Sequence, residues 1–302
     1  MTLSFAAGAK AEICRNIPQK HCCALAECFG VLLFCNTFSA QNIRIITESR
    51  DFALNLPKLF KRAFNLEFDL LPNQETAGKL NFQFTDPQKI HTIMDAFGFD
   101  TRDTLSVHIN LPVVEEDCCK AAFLRGAFLS GGSISDPNKE YHLEIVSKND
   151  DSSWKLCSTL QKIGLDAKTT QRGNMYVVYI KDSESIEDFL TMIGATKAVL
   201  MYMNTKIYKD LRNQINRTSN CVAANMRKVG QSSGKYVDAI NRIEKAGMLD
   251  ALPDDLKDIA IARRDNFEMP LSELGAMFSL SRSGIHHRLK RILEFAEKLD
   301  QG

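Results

Sequence analysis

Apolar and polar positions along residues 20–200 predict a series of five structural elements that occurs twice. An apolar helix comes first, followed by a strand rich in β-branched residues, an amphipathic helix, a second strand and a short helix that ends near a glycine. The first series is predicted at Ala24–Phe34, Ile43–Thr47, Phe52–Phe64, Leu80–Thr85 and Gln88–Phe97. The second series is predicted at Ala121–Leu129, His142–Val146, Ser153–Ile163, Met175–Ile180 and Ile186–Met192.

Identical residues at an offset of ninety-six positions support a duplication. Cys22-Cys23 recurs as Cys118-Cys119, and Gly30 recurs as Gly126. Further matching pairs are Ala26 and Ala122, Asp86 and Asp182, Ile90 and Ile186, and Gly98 and Gly194. A period of about a hundred residues is too long for a solenoid. We therefore predict a domain at residues 1–203 in which two α/β repeats, at about 15–100 and 111–196, pack as a pseudo-twofold pair.

Glycines in the middle of both first helices suggest how the repeats meet. Gly30 and Gly126 remove side chains where two helix backbones have to approach each other closely, and the neighbouring alanines are also small. The prediction is that these two helices pack against each other at the pseudo-twofold axis. The alternative left open is that each glycine merely marks a helix end.

The pattern becomes polar and basic after Tyr202. A basic connecting helix is predicted at Asn204–Arg217, within a linker at residues 204–219, and another helix at Asn220–Lys245. Leu252–Leu256 resembles a helix start, because a proline precedes two acidic residues that suit the helix dipole. Residues 220–302 are thus expected to form an all-α domain.

Residues 270–292 have the layout of a helix-turn-helix. Ser272 is predicted to cap a short helix that turns Leu274, Met277 and Phe278 inward. Residues 279–281 form the predicted turn, with Leu280 buried, and Ser281 caps the second helix. Apolar residues in that second helix follow helical spacing, and they are Ile285, Leu289 and Ile292.

The opposite face of the second helix is polar and basic, as a DNA recognition helix requires. Arg282, Ser283 and His286 lie nearest its N-terminal end and are candidates for base contacts, whereas Lys290 and Arg291 suit phosphates. The predicted DNA-binding residues are Ser272, Ser281, Arg282, Ser283, His286, His287, Lys290 and Arg291. The alternative is an amphipathic helical hairpin with a solvated basic face.

Charge, composition and cysteine spacing limit which partners, cellular locations and metal sites are expected. The net charge is +1, but basic residues exceed acidic ones by four from Asn204 onward, which favours a polyanion at the C-terminal end. The chain is 44% apolar and has neither a span of roughly 18 apolar residues nor a visible signal peptide, so we expect a cytoplasmic protein without membrane contact. The nine cysteines lack Cys-x-x-Cys spacing, which predicts buried free thiols and no metal or cofactor. Adjacent His286 and His287 diverge by about 100° on a helix, so they do not suit one ion.

Three motifs together resemble the WhiA family of bacterial regulators. They are Leu124–Ile134, Arg212–Cys221 followed by Ala224-Asn225, and the helix-turn-helix segments Leu271–Gly275 and Ser281–Leu289. The resemblance implies an α+β N-terminal domain of two LAGLIDADG-like repeats, with the fold of homing endonucleases, and an all-α C-terminal helix-turn-helix domain. It also implies a nucleoid-associated transcriptional regulator that binds double-stranded DNA at promoters. Such regulators are involved in cell division, chromosome segregation and, in spore formers, sporulation. Val222 departs from the family pattern, in which an acidic residue is expected.

The same resemblance raises the question of nuclease activity. Homing endonucleases place one metal-binding acid at the foot of each central helix, where metal ions activate water. Aligning Leu124–Gly132 with the nuclease motif puts Gly131 at this position, and the repeat offset puts Cys35 there in the first copy. Neither offers the oxygen that magnesium prefers, and the nearest acids are Glu27 and Asp136. We predict a non-enzymatic protein, with a metal-dependent endonuclease, or a scaffold that binds a sigma factor or a division protein, as alternatives.

Overall fold

The structure is a computed structural model that describes residues 4–73, 78–99 and 111–299 of the chain. Contacts between Cα atoms divide the chain into two compact units, Met1–Tyr208 and Lys209–Gly302. Each unit has its own core of buried apolar side chains.

The first repeat contains four helices and a three-stranded antiparallel sheet of order β1-β2-β3. Its elements are α1 (Phe5–Ile13), α2 (His21–Leu33), β1 (Thr37–Phe38), β2 (Ile43–Thr47), α3 (Arg50–Phe64), β3 (Leu80–Phe84) and α4 (Pro87–Ala96). All five predicted elements are confirmed. α1 and the two-residue strand β1 were not predicted.

The second repeat forms a four-stranded antiparallel sheet of order β4-β5-β7-β6. Its elements are a 3-10 helix (Leu111–Val114), α5 (Asp117–Gly131), β4 (Gly132–Ile134), β5 (Leu143–Ser147), α6 (Asp150–Lys162), β6 (Ala167–Arg172), β7 (Met175–Ile180) and α7 (Ser183–Met192). All five predicted elements are again present. The prediction missed β6 because it is an edge strand whose residues after Ala167 are all exposed, so it shows no apolar alternation.

The predicted close approach of the first helices, now α2 and α5, is confirmed. A Cβ atom added to Gly30 would lie 2.7 Å from the backbone nitrogen of Ala127 and nearer still to the carbonyl oxygen of Phe123. A Cβ atom on Gly126 would lie 3.0 Å from the nitrogen of Val31 and nearer to the carbonyl oxygen of Glu27. Because backbone atoms cannot rotate away, only glycine permits this packing.

A single 50-residue helix, α8 (Thr196–Lys245), follows the second repeat and continues into the second unit. The prediction of separate helices at Asn204–Arg217 and Asn220–Lys245 was wrong, and the backbone shows no break at the predicted boundaries of the linker. Residues 211–228 are all exposed, so this part of the helix has no buried stripe, although Leu211, Ile215, Val222 and Met226 recur at helical spacing on its surface. Within the described parts of the chain, no helix combines the length and apolar character needed to cross a lipid bilayer.

The C-terminal unit contains three further α-helices after α8. They are α9 (Asp254–Asp265), α10 (Leu271–Met277) and α11 (Arg282–Leu299), with a short 3-10 helix at Leu249–Ala251. The predicted helix start is confirmed, because α9 begins directly after Pro253. Buried side chains from all four helices form one core, including Tyr236, Ile259, Leu274, Ile285 and Leu289.

The predicted burial of the nine cysteines is confirmed for four of them, Cys14, Cys28, Cys119 and Cys157, and is wrong for three. Cys22, Cys118 and Cys221 are exposed, although Cys28 and Cys119 are buried as expected. The expectation of buried thiols rested on residue type alone, and it did not consider that Cys22 and Cys118 lie at the ends of their helices. Those ends reach the surface.

Candidate nucleic-acid interface

Ser281 caps α11, as the sequence predicted. Its Oγ atom accepts a hydrogen bond from the backbone N–H of Gly284 at 3.1 Å. The Oγ atoms of Ser281 and Ser283 lie 3.0 Å apart. The cap satisfies one of the free N–H groups in the first turn and fixes where the helix begins.

A tight turn joins α10 to α11. The N–H of Leu280 donates to the carbonyl oxygen of Gly275 at 2.8 Å, and Ser279 has a left-handed backbone with φ of 55°. A Cβ atom on Gly275 would lie 2.6 Å from the carbonyl oxygen of Leu280. Gly275 therefore sets how closely the turn folds back on α10, a role that we did not predict.

Two predictions about α10 were wrong. The helix begins at Leu271 with Pro270 at the N-cap position, and no side chain supplies the cap hydrogen bond, so Ser272 is an exposed residue of the first turn. Met277 is 58% exposed. Leu274 is buried and Phe278, one helical turn later, packs against the same core, so these two residues define the inner face without Met277.

The polar face of α11 lies opposite its buried stripe. Ile285, Leu289, Ile292 and Ala296 are buried. With about 100° between successive residues, Ser283, His287 and Lys290 project away from this stripe. All of the predicted contact residues on α11 are exposed, and they are Arg282, Ser283, His286, His287, Lys290 and Arg291. The structure thus presents these side chains together on one accessible surface, which we call the α11 face.

The residues of the α11 face differ in the side chains that they contact. The His286 ring packs edge-on against Tyr236, with a centroid distance of 6.4 Å. Lys290 Nζ lies 3.7 Å from Glu294 Oε1 on the same helix. Arg288, which was not a predicted contact, has its Nε atom 3.4 Å from Asp255 Oδ2 and so links α11 to α9. Arg288 therefore helps to fix the orientation of α11 relative to α9.

Arg263 is a fully buried residue that sequence reasoning missed. Its guanidinium donates to the carbonyl oxygens of Met269, at 2.7 Å, and Phe267, and to Ser233 Oγ at 2.6 Å. Burial lowers the pKa of Arg263. Arg263 holds the loop between α9 and α10 against α8, and its place four residues after the buried Ile259 was the available signal.

Comparisons with known proteins agree with this architecture. Residues 120–212 match the family model of the WhiA LAGLIDADG-like domain, and residues 215–296 match that of the WhiA C-terminal HTH domain. A relative from Ruminiclostridium cellulolyticum is 36% identical over 98% of this chain and 98% of its own. The chain belongs to the WhiA family. A relative from Bacillus cereus (strain G9842) is 35% identical over 99% of this chain and 98% of its own, and both relatives are named "Probable cell division protein WhiA".

Solved WhiA structures have the same fold. Full-length WhiA from Thermatoga maritima matches with a TM-score of 0.61 and 23% identity over 99% of each chain. An N-terminal LAGLIDADG domain of WhiA matches with a TM-score of 0.50 and 21% identity, over 64% of this chain and 94% of the other. The predicted fold class, an α+β domain of LAGLIDADG-like repeats followed by a helical HTH domain, is confirmed.

Gly131 and Cys35, at the feet of the central helices α5 and α2, do not suit a magnesium site. A Cβ atom on Gly131 would lie 2.5 Å from the carbonyl oxygen of Val146, so no larger side chain fits there without movement. Burial raises the pKa of Cys35 to about 12, which keeps its thiol protonated. Lys10 donates to the carbonyl oxygen of Leu129 at 3.1 Å, and this places an amine close to the foot of α5.

The nearest acid on α2 is already paired. Arg125 Nε donates to Glu27 Oε2 at 2.8 Å, and Nη2 of the same guanidinium also contacts that oxygen. Burial raises the pKa of Glu27, and the charge of Arg125 partly offsets this effect. The Glu27 carboxylate thus joins the two repeats, because α2 supplies the acid and α5 supplies the base.

Proposed function

We propose that this WhiA-family protein is a non-enzymatic, sequence-specific regulator that binds double-stranded DNA at promoters. The observation that carries the proposal is the α11 face, an exposed cluster of donors and cations on a helix that a serine-capped turn positions. The match to the WhiA C-terminal HTH domain supports it, because such domains place their second helix in the major groove.

Position along α11 suggests a role for each side chain. Arg282, Ser283 and His286 lie in the first turn and a half, the part of a recognition helix that contacts base edges. His287 projects directly away from the core and joins this group. Lys290 and Arg291, one turn further, bind backbone phosphates. Ser281 and Ser272 lie at the edge of the proposed DNA interface. Ser281 caps α11, and Ser272 is exposed at the start of α10.

The case against catalysis rests on the foot of the central helices. Gly131 leaves no room for a carboxylate, Cys35 offers a protonated thiol, and Glu27 is neutralised by Arg125. The Lys10 amine close to the foot of α5 would also repel a divalent cation. A magnesium-dependent hydrolase needs hard oxygen ligands in this position.

A binding experiment tests the proposed interface. Duplexes selected by the full chain from a random pool supply the site, and fluorescence anisotropy at several salt concentrations gives affinity and salt dependence. Arg282→Ala and His287→Ala should each lose about 1–3 kcal/mol of discrimination against mutated sites. Lys290→Ala should weaken all duplexes alike and reduce the logarithmic salt slope by about 1.

Lys298→Ala is the matched control, because it removes the same charge from an exposed position at the far end of α11. It should leave the affinity for all duplexes, the salt slope and the discrimination between selected and mutated sites unchanged. If the three α11-face variants bind like the wild type, or if Lys298→Ala has the same effect as Lys290→Ala, α11 is not the recognition helix.

Plasmid cleavage tests the non-enzymatic part of the proposal. Supercoiled DNA incubated with Mg²⁺ and either the wild-type protein or Glu27→Ala should remain supercoiled. Nicking by the wild type that exceeds nicking by Glu27→Ala would establish the endonuclease alternative.

The biological role is proposed from the names of the relatives. Those relatives are named probable cell division proteins, and we infer that this chain, as a nucleoid-associated cytoplasmic protein, regulates genes for cell division, chromosome segregation and, in a spore former, sporulation. Genome-wide chromatin immunoprecipitation should place it at promoters. Retained cellular function after deletion of residues 271–302 would instead favour a scaffold that binds a sigma factor or a division protein.

A further inference from the structure

Four thiols from the two repeats converge at one end of the central helices. Cys22 and Cys23 of α2 meet Cys118 and Cys119 of α5, and all four Sγ atoms lie within 4.8 Å of one another. We call these residues the four-thiol cluster. Within each adjacent pair the Sγ atoms are 4.0 Å apart. Repeats ninety-six residues apart therefore place their only Cys-Cys pairs at a common point.

The arrangement follows from the packing of the helices. Gly30 and Gly126 hold α2 and α5 side by side in the same direction, so that their first turns meet. Each Cys-Cys pair occupies the second and third positions of its helix. Because helical side chains lean toward the N-terminus, adjacent cysteines in a first turn can point past the helix end and converge there.

The size of the four-thiol cluster suits one tetrahedral ion. Zinc–sulfur bonds of about 2.3 Å require sulfur atoms about 3.8 Å apart at the corners of a tetrahedron. The 4.0 Å spacing within each pair is close to this value, and because no two sulfur atoms are more than 4.8 Å apart, a contraction of at most about 1 Å is needed. A polynuclear iron–sulfur cluster would hold the cysteine sulfurs further apart, because inorganic atoms lie between them.

Charge also favours a metal thiolate at this point. A zinc ion with four thiolates carries two negative charges, and the N-termini of two helices face it with the positive ends of their dipoles. The Cys119 thiol lowers the pKa of Cys22 by hydrogen bonding, whereas burial raises the pKa of Cys23 to about 11 and that of Cys119 to about 12. A metal ion that binds the four thiols displaces their protons.

We propose that the four-thiol cluster binds one structural Zn²⁺ ion that fastens the N-terminal ends of α2 and α5. All four tetrahedral positions are filled by protein sulfur, which is typical of structural rather than catalytic zinc. The site lies at the opposite end of α5 from Gly131, so it has no part in the nuclease position. It was missed in the sequence because its ligands come as adjacent pairs from two repeats and not as Cys-x-x-Cys.

Metal analysis of the full chain tests the proposal. Protein purified under reducing conditions should contain one equivalent of zinc, measured by mass spectrometry of the metal. After removal by a chelator, Co²⁺ should restore one equivalent with strong thiolate-to-cobalt charge transfer and the visible bands of a tetrahedral ion. Sub-stoichiometric zinc, stoichiometric iron, or octahedral cobalt spectra would overturn the assignment.

Paired variants locate the ion. Cys22→Ser/Cys118→Ser alters only exposed positions, so it should remain folded by circular dichroism while its zinc affinity falls at least tenfold. Cys221→Ser is the control, because this exposed thiol lies on α8 outside the four-thiol cluster. Equal zinc binding by the paired variant and the control would overturn the proposal, and so would Cys22–Cys119 and Cys23–Cys118 disulfides in protein kept under reductant.

Thermal unfolding tests the structural role of the zinc ion independently of the measured zinc content. Chelation should lower the Tm of the wild type and of Cys221→Ser, and added zinc should restore it. The paired variant should have a low Tm that chelation does not lower further and that zinc, at the concentration sufficient for the wild type, does not restore. A wild-type Tm that is insensitive to both would contradict a structural role.

Discussion

Replacement of Gly30 by alanine should strongly destabilise the N-terminal unit. A methyl group there would lie 2.7 Å from the nitrogen of Ala127, short of ordinary van der Waals contact of 3.4 Å, and nearer still to the carbonyl oxygen of Phe123. The central helices would have to separate by about 0.7 Å or more, which disrupts contacts along both of them. Overpacking costs about 1–3 kcal/mol and occasionally more, and we expect at least about 3 kcal/mol because both obstructing groups are backbone atoms.

Urea titration with pulsed alkylation of Cys28 measures the free energy of unfolding of the N-terminal unit. Cys28 lies on α2 and is fully buried, so its thiol reacts only when the central helices open. Gly8→Ala is the matched control, because Gly8 lies in α1 with nothing within 4 Å of an added Cβ atom. This control should stabilise the unit by about 0.5–1 kcal/mol through helix propensity.

The double variant sharpens the test. Gly126→Ala should behave like Gly30→Ala, and the two together should cost less than the sum of the single changes, because one separation of the helices accommodates both methyl groups. An unchanged urea midpoint for Gly30→Ala, or strict additivity in the double variant, would refute the close-packing argument.

Three further predictions concern local features of the two units. Gly275→Ala should destabilise the C-terminal unit by about 1–3 kcal/mol in thermal unfolding, because its methyl group would meet the Leu280 carbonyl oxygen at 2.6 Å, whereas Gly230→Ala in open space should not. Arg263→Met should cost about 1–3 kcal/mol for each buried carbonyl oxygen left unpaired, and equal stability in urea would disprove the role of this guanidinium. Burial alone would raise the pKa of Asp69, but bonds from Lys89 and two backbone N–H groups lower it to about 2, so its stabilising effect is present above about pH 4 and disappears toward pH 2. Asp69→Asn should therefore be less stable than the wild type by about 1–2 kcal/mol at pH 7 and equally stable at pH 2, and a constant difference across this range would contradict the linkage.

Much of the fold was predictable because burial leaves a period in the sequence. Both repeats show it in their helices and central strands, and the duplicated glycines indicated where the repeats meet. Solvent-exposed elements have no buried face to mark their limits. α8 was divided into two because residues 211–228 are all exposed, and β6 was missed because its side chains face water.

The candidate interface was predictable to a similar degree. Helical spacing in α11 separated the buried stripe from the exposed contact residues, and the structure places them on those two faces. Contacts between distant residues were not predictable. Examples are the packing of Tyr236 against His286, and the buried guanidinium of Arg263. Ser272 was taken for a cap because the helix start was placed two residues too late, whereas Pro270 occupies the N-cap position and the helix begins at Leu271.

The four-thiol cluster shows the same limit most clearly. Its two Cys-Cys pairs were visible as a repeat, but a metal prediction depends on where the repeats place them in space. The close packing of α2 and α5 at Gly30 and Gly126 brings their first turns together.

Site-specific photo-crosslinking tests the central claim about α11 most directly. A photoreactive side chain at Ser283 faces the proposed DNA groove, whereas one at Lys298 lies near the other end of the same helix. With the selected duplex, the probe at Ser283 should crosslink to bases within the recognised sequence, and the probe at Lys298 should not. No crosslinks from Ser283, or crosslinks of equal yield and position from Lys298, would contradict the account.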